Sequence, residues 1–362
     1  MSLRSRLTSV SLHLFDAIGE VAPLPQRLRE QQQALLFARA AQGYQLSAAI
    51  GAASELGLYR FLAKPRELDE IAQHCKLTAE AAQVLLDALE AAGLCSRTGT
   101  RVELTQIARR LFLPERWTAG QGMVDFMLGS WSQWRELAQA LRGGEGHPEL
   151  RVYNPQNPLM PEYVRLLTSR LAGPAQELMS RLDLSDVNRV ICGTVGVSVA
   201  AAVLRARPEA ELVVSCLPLL IRQLPSALQE YGVKPPVEII ENSGEAEEDS
   251  WGSNEAYDLV FLARKFAYCG EEHGIDYLRK SMRVLPPGGY LILWEPFADN
   301  YDLAPWMRAS VALVDAMLGE PRPLYARHEV AGFAERAGYA PVEIHDVAGG
   351  GTSFIVARRP RS

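Results

Sequence analysis

Short apolar segments alternate with helical segments through the second half of the chain, and this alternation constrains the fold most. Seven apolar segments follow Asn188: RVICG, ELVVSCL, VEIIE, YDLVFLA, GGYLILWEP, APVEIHDV and TSFIVARR. Parallel strands need a crossover between them, so the alternation predicts a mostly parallel seven-stranded sheet with helices on both faces, a Rossmann-like α/β fold. Ligands of such sheets bind at the carboxyl ends of the strands, where the strand order reverses.

The first third of the chain is helical and closes with a short hairpin. Residues 34–63 form a long Ala- and Leu-rich helical pattern with few charges, which a partner subunit is well suited to bury. Thr78 is placed to cap a helix that stops around Gly93, and SRTGTRVEL then predicts two extended pieces around a turn. Helices followed by a hairpin predict a winged helix.

Charge argues against nucleic-acid binding by this winged helix. The candidate recognition helix, Thr78–Cys95, contains Glu80, Asp87 and Glu90 and no Lys or Arg, and the whole chain has a net charge of −6. A major groove or an anionic membrane surface would repel such a helix. We therefore predict a dimer-forming role for this domain.

The chain divides into three predicted parts. These are an N-terminal helical and winged-helix dimerisation domain (1–117), a helical linker and substrate-lining region (118–187) and a Rossmann-like domain (188–362). No cleavable signal sequence is recognisable, no apolar run approaches 20 residues, and the five cysteines lack CxxC spacing. We expect a cytoplasmic protein without a membrane span.

Several motifs in this order resemble a known family. RARPEAELVVSCLP, YDLVFLARKFAY, LRKSMRVLPPGGYLILWEP and FAERAGY, behind a winged-helix front, are similar to the dimeric, S-adenosylmethionine (SAM)-dependent small-molecule O-methyltransferases. Within that family the chain is most similar to bacteriochlorophyllide and carotenoid methyltransferases, because RKFAYCGEE has a Tyr where most relatives have a His. The resemblance implies the class I methyltransferase fold, a homodimer formed through the N-terminal domain, and SAM as the ancestral cofactor.

The loop after the first strand departs from the family's cofactor motif. The family typically has Asp-Val-Gly-Gly-Gly-Thr-Gly, and this chain has ICGTVGV at 191–197. Gly193 keeps the first glycine, Ile191 replaces the first acid, and Thr194, Val195 and Val197 replace other residues of the motif. Gly196 is a candidate displaced substitute. The resemblance thus makes five residues the candidate cofactor contacts, namely Gly193, Thr194, Gly196, Cys216 and Leu217.

The second strand shows the same kind of departure. The family's Asp-Leu-Pro is CLP here, so Cys216 occupies the position of the acid that binds the ribose. A thiol is a weak hydrogen-bond partner, and each lost charge-assisted bond weakens binding by roughly ten- to hundredfold. The acids in ENSGEAEEDSWG are interpreted as a solvated charge run. We predict that SAM binding is weakened or lost.

The catalytic position implied by the resemblance is also altered. Family enzymes that methylate hydroxyls use a His after the fourth strand as general base, and Tyr268 is assigned to that place. A phenol is a poor base at neutral pH, but it can position a substrate or donate a hydrogen bond. Glu295, in WEP, is a candidate to orient a substrate, and a satisfied surface carboxylate is an equal alternative.

Three cysteines follow neighbouring strands. Cys192, Cys216 and Cys269 allow two interpretations, a soft-metal or redox cluster and a set of small apolar fillers. The fillers are favoured, because adjacent strand positions face opposite ways. No metal is predicted.

An aromatic and Met-rich set predicts a large apolar ligand. Its members are Phe126, Met127, Trp131, Trp134, Trp306, Met307 and Met317. Such side chains line pockets for bulky hydrophobic molecules, although for any single one of them a place in the inter-domain core is the favoured interpretation.

Three functions follow from these observations. The first is a methyltransferase-like protein with weakened SAM binding that acts on, or binds, a bulky hydrophobic pigment or secondary metabolite. The second is a conventional SAM-dependent O- or C-methyltransferase. The third is a non-catalytic partner or assembly subunit. Losses at two separated cofactor regions place the first above the second, and nothing in the sequence separates the first from the third.

Overall fold

The computed structural model describes residues 26–113, 119–142, 157, 160–234, 236–242, 251–299, 305–317, 324–347 and 352–361. The chain divides into two compact units, Met1–Ala108 and Arg109–Ser362. The three-part division at residues 117 and 187 stays a prediction.

The first unit is a winged helix, as predicted. Its elements are α1 (Gln26–Glu55), α2 (Leu58–Phe61), β1 (Arg66–Glu67), α3 (Leu68–Cys75), α4 (Ala79–Ala91), β2 (Cys95–Thr98) and β3 (Arg101–Leu104). The three strands form an antiparallel sheet in the order β1-β3-β2.

Local chemistry explains where these helices begin and end. The Thr78 hydroxyl accepts a hydrogen bond from the N–H of Ala81 at 3.2 Å, which caps α4 as expected. The long helix expected over 34–63 is interrupted, because Gly57 has a left-handed φ of 67° that ends α1. On α4, Asp87 and Glu90 both pair with Arg97 of the wing strand β2. Two of the carboxylates that argue against DNA binding therefore tie α4 to the wing.

The second unit begins with helices. Helix α5 (Gln106–Phe112) contains the boundary between the two units, which falls after Ala108. The elements that follow are α6 (Ala119–Gly129), a 3-10 turn (Gln133–Glu136), α7 (Leu137–Leu141) and α8 (Met160–Met179). No helix in the described part of the chain is both long and apolar enough to cross a membrane.

A seven-stranded sheet follows, and all seven predicted strands are present. They are β4 (Arg189–Gly193), β5 (Glu211–Cys216), β6 (Val237–Glu241), β7 (Leu259–Ala263), β8 (Tyr290–Trp294), β9 (Val342–Val347) and β10 (Thr352–Arg358). The order is β6-β5-β4-β7-β8-β10-β9, with β10 antiparallel to both neighbours and the other pairs parallel. The order reverses beside β4, so the ligand site of this fold is expected at the carboxyl ends of β4, β5 and β7.

Helices cover both faces of the sheet, as the alternation predicts. They are α9 (Val197–Ala206), α10 (Leu224–Glu230), α11 (Lys265–Val284), α12 (Pro305–Met317) and α13 (Arg327–Arg336). Along β4, Val190 and Cys192 belong to one buried cluster, whereas Ile191 belongs to the other. Successive side chains thus enter opposite cores, as the period of two requires.

Candidate ligand-binding site

A cavity of about 100 Å³ lies at the carboxyl edge of the sheet. Gly193 at the end of β4, Ser215 near the end of β5 and Ala263 at the end of β7 all line it. The cavity therefore occupies the place where this fold binds ligands, and strand register brings these three residues together.

One wall of the cavity comes from α8. Met160, Tyr163, Val164 and Leu167 line it, and their i, i+3, i+4, i+7 spacing places them on one helix face. Sequence reasoning missed this stripe, although the helical spacing is visible in the sequence.

Among the described residues, the polar part of the lining contains a cation and no anion. Thr194, Asn242 and Lys265 line the cavity, and none of the described lining residues is an Asp or a Glu. The acidic run ENSGEAEEDSWG lies mostly outside the described residues, and its first residue, Glu241, is exposed.

The two glycines of the loop have different surroundings. A Cβ on Gly193 would have its nearest neighbour, the Ser215 carbonyl oxygen, at 3.9 Å, so this position is open to a ligand. A Cβ on Gly196 would lie 2.5 Å from Phe261 Cδ1 and 2.7 Å from Cys192 Cβ. Gly196 is not among the lining residues, so close packing of the Thr194–Gly196 turn against β7 explains this glycine.

Cys216 is turned into the protein rather than toward the cavity. It is 0% exposed, whereas its neighbours Ser215 and Leu217 line the cavity. The Thr194 hydroxyl donates to its Sγ at 3.4 Å, and its own thiol donates to the Leu217 carbonyl at 3.5 Å. The ribose-acid position is therefore held by a thiol whose polar contacts are all with its own chain.

Of the three cysteines that allow these two interpretations, Cys192 and Cys216 are described, and both are buried free thiols. Burial, together with the nearby Cys216 thiol, raises the pKa of Cys192, and burial also raises the pKa of Cys216. Thiolates bind metals and thiols do so poorly, so a raised pKa favours the interpretation as apolar fillers, which stays a prediction. The side chain of Cys269 lies outside the described residues.

Glu295, directly after β8, is buried and caps α11. It is 5% exposed, so the alternative of a surface carboxylate is wrong. Its Oε1 accepts the N–H of Phe266 and its Oε2 the N–H of Ala267, each at 3.1 Å. Burial raises the pKa of this carboxyl to about 7, although these backbone bonds and the Arg264 charge favour its ionised form.

The other predicted catalytic residue is one position beyond this cap. Tyr268 lies in the first turn of α11, but its side chain is outside the described residues. Glu295 does not line the cavity. Both catalytic roles stay predictions.

None of the described side chains in the predicted substrate-lining set is in the cavity wall. Phe126 is buried with its ring centroid 5.1 Å from that of Tyr163, a lining residue, and Met317 is fully buried in the core. Trp131 is half-buried, and Trp134 donates to the Ser130 hydroxyl at 3.3 Å. Phe126 therefore packs against a residue of the cavity wall without lining the cavity itself. The side chain of Trp306 lies outside the described residues.

Sequence reasoning also missed an aromatic and basic group on the other side of the cavity. Trp251, Lys265 and Tyr277 all line it. They come from separate segments, and nothing in their local sequence signals the contact.

The winged helix, the sheet order and the position of the cavity define a chain with the class I methyltransferase fold of the winged-helix O-methyltransferases. No protein-family model matches the sequence. The L-tyrosine C(3)-methyltransferase of Streptomyces lavendulae is 23% identical over 309 residues, which cover 81% of this chain and 83% of that protein.

Solved structures agree on the fold. The structure of PigF with SAH superposes with a TM-score of 0.72 at 21% identity and covers 92% of this chain and 100% of that one. Human N-acetylserotonin methyltransferase in complex with SAM gives a TM-score of 0.74 at 18% identity, with coverage of 94% and 99%.

Proposed function

We propose that this chain binds or acts on a bulky hydrophobic small molecule, a pigment or secondary metabolite, through a methyltransferase fold whose SAM binding is weakened or lost. The observation that carries this proposal is the cavity lining, which combines apolar side chains with Lys265 and includes no described carboxylate. The apolar wall from α8 supports a hydrophobic ligand.

The chemistry of SAM supports the loss. SAM carries a positive sulfonium, a positive ammonium and a ribose diol, all of which favour nearby carboxylates. Ile191 stands where the family has its first acid, and it is buried and apolar. Cys216, at the ribose position, is buried and its thiol is bonded within the chain. The described lining therefore does not fit SAM, and we derive no reaction step through it.

One observation favours the alternative of a conventional SAM-dependent methyltransferase. Gly193 keeps the open backbone position at the end of β4 that a close cofactor approach requires. The related proteins named above include structures with SAM and with SAH, and the curated relative is a methyltransferase.

Calorimetry with SAM separates these two functions. We take a micromolar dissociation constant for SAM as the reference for a chain that keeps both acids. Loss of the charge-assisted contacts at positions 191 and 216 raises that dissociation constant to about 100 µM or more. We expect the Cys216→Asp variant to bind SAM roughly ten- to hundredfold more tightly than the wild type, because a buried carboxylate beside Cys192 is costly and will turn toward the cavity.

Cys216→Asn is the matched control, since it has the same shape without the charge and should give little gain. Micromolar SAM binding by the wild type would contradict the proposal and support the conventional enzyme.

We also propose a homodimer through the N-terminal unit, whether the protein is an enzyme or a non-catalytic partner. Helix α1 exposes large apolar side chains, with Phe37 74%, Tyr44 60% and Leu35 55% accessible. Phe37 and Tyr44 are seven residues apart and therefore share one helix face, and large apolar side chains exposed on one face are typical of association surfaces. The buried free cysteines support a reducing, cytoplasmic location.

Sedimentation velocity tests this assembly. The wild type is expected to sediment as a dimer, and the double variant Phe37→Glu, Tyr44→Glu as a monomer, because two buried charges would oppose association. Lys64→Glu, at an exposed position of the same unit, should leave the dimer intact. A monomeric wild type would refute the proposal.

Within this function, Tyr268 is the proposed substrate-facing residue. Glu295 is a positioning residue, because it fixes the backbone of the two residues that precede Tyr268.

A further inference from the structure

We propose that the ligand is an elongated molecule with an apolar end in the sheet-edge cavity and a carboxylate at its other end, in a second cavity lined by Arg165 and Arg222. This inference rests on the proposed function, because it specifies which kind of hydrophobic molecule the site takes.

The first observation is the size of the sheet-edge cavity. Its volume of about 100 Å³ is well below the roughly 300 Å³ at which ligand pockets usually begin. An engineered apolar cavity of about 150 Å³ holds a benzene molecule. The sheet-edge cavity therefore has room for about one ring, and the rest of a bulky ligand must extend beyond it.

The second observation is an adjoining cavity of about 170 Å³, which we call the helix cavity. Val164, Thr194 and Leu220 line both cavities. A molecule that outgrows the sheet-edge cavity on this side therefore enters the helix cavity.

The helix cavity lies between α8 and α10. Its lining from α8 is Pro161, Val164, Arg165 and Thr168, and its lining from the α10 side is Gln223, Ser226, Ala227 and Glu230. Both sets have i, i+3, i+4, i+7 spacing, so each is one face of a helix. Arg222, just before the second set, also lines the cavity. Hydroxyl, amide and charged groups thus replace the apolar side chains that dominate the sheet-edge cavity.

The charges of the helix cavity select the end of the ligand. Arg165, Arg222 and Glu230 are the charged residues of its described lining. Partial burial raises the pKa of Glu230 to about 7, and the charge of Arg165 opposes that rise. Even when Glu230 is ionised, the described lining has one guanidinium in excess. The local potential therefore favours a monoanion, and the planar guanidinium matches a carboxylate in shape.

Phenyl probes of two lengths test the inference on the full chain, with binding measured by calorimetry. The long set is 6-phenylhexanoate, 6-phenylhexan-1-ol and 6-phenylhexylammonium, and the short set is phenylacetate and 2-phenylethanol. In the long set we expect the acid to bind about three- to tenfold more tightly than the alcohol, as two exposed charge pairs predict, and the cation to bind least. In the short set this ratio should be one or less, because a carboxylate beside a ring that fills the sheet-edge cavity does not reach the guanidinium groups.

Variants assign the preference to the two arginines. The double variant Arg165→Met, Arg222→Met should reduce the acid-to-alcohol ratio of the long probes to about one without changing the affinity of the alcohol. The double variant Arg165→Lys, Arg222→Lys should retain most of the ratio, because it keeps both charges. Arg205→Met is the matched control, since Arg205 is an exposed cation on α9 that lines neither cavity, and it should leave the ratio unchanged. Gly193→Leu, which projects into the sheet-edge cavity, should abolish binding of all the probes.

A ratio near one for the long probes, or a ratio that survives the double methionine variant, would overturn the inference. Loss of the ratio in Arg205→Met would do the same, because it would show a response to net charge alone. SAM titration of the same preparation separates the two levels of the proposal. Weak SAM binding with equal affinities for the long acid and alcohol would reject only the anionic end, whereas micromolar SAM binding without binding of either probe would reject the proposed function with it.

Discussion

Wild-type protein is expected to lose roughly 3 kcal/mol of its free energy of unfolding, relative to the Glu295→Gln variant, as the pH rises from 4.5 to 8. The reason is the buried carboxyl of Glu295, whose pKa is raised by burial from 4.5 to about 7. Between these two values the folded chain keeps a proton that the unfolded chain has released. Stability therefore falls as the pH rises through this window and is constant above it.

Urea denaturation at several pH values measures this difference. Glutamine at position 295 cannot titrate, so subtracting its profile isolates the contribution of Glu295 from that of other groups. The variant should itself be less stable at low pH, because its amide NH₂ faces one of the two backbone donors, Phe266 or Ala267. Parallel pH profiles for the two proteins would show that Glu295 ionises in the folded state as freely as in the unfolded state.

The Gly196→Ala substitution is expected to destabilise the protein by about 1–3 kcal/mol, and Gly196→Val by more. The added Cβ would lie 2.5 Å from Phe261 Cδ1 and 2.7 Å from Cys192 Cβ. Both neighbours are buried in the core between β4, β7 and α9, so neither can move away freely. Urea denaturation at one pH measures the change.

Gly193→Ala is the matched control in the same loop. Its φ of −77° suits any residue and the nearest atom to its Cβ is at 3.9 Å, so its stability should stay within about 0.5 kcal/mol of the wild type. Phe261→Leu should relieve part of the cost of Gly196→Ala, because it removes the ring atom that the Cβ meets. Equal costs at the two glycines would contradict the assignment of Gly196 to packing and Gly193 to the ligand.

The contrast between these glycines shows how far sequence reasoning reached. Motif spacing placed Gly193 and Gly196 in the loop after the first strand, and the structure has Gly193 as the last residue of β4 and Gly196 in the turn that follows. Spacing suggested that Gly196 replaces a cofactor glycine. The structure adds a packing constraint that spacing could not show, because Phe261, the neighbour of Gly196, is 65 residues further along the chain and meets it through the pairing of β4 with β7. The cofactor role of Gly196 stays a prediction.

The residues that surround the cavity show the same limit. The helical spacing from Met160 to Leu167 is visible in the sequence, but only packing shows that this helix face lines the cavity. Trp251 lies at the end of a segment that the sequence predicts to be solvated, but its side chain is buried beside Tyr277.

By itself, the sequence determined the class of fold. Strand periodicity, a cap such as Thr78 and the alternation of strands with helices depend on neighbours within a few residues, so they could be predicted locally. Only the tertiary structure decided which side chains face the ligand site. Trp251, Lys265 and Gly193 meet there because sheet order and register bring distant segments to one edge. The burial that shifts the pKa of Glu295 likewise depends on atoms from distant segments, and no local pattern encodes it.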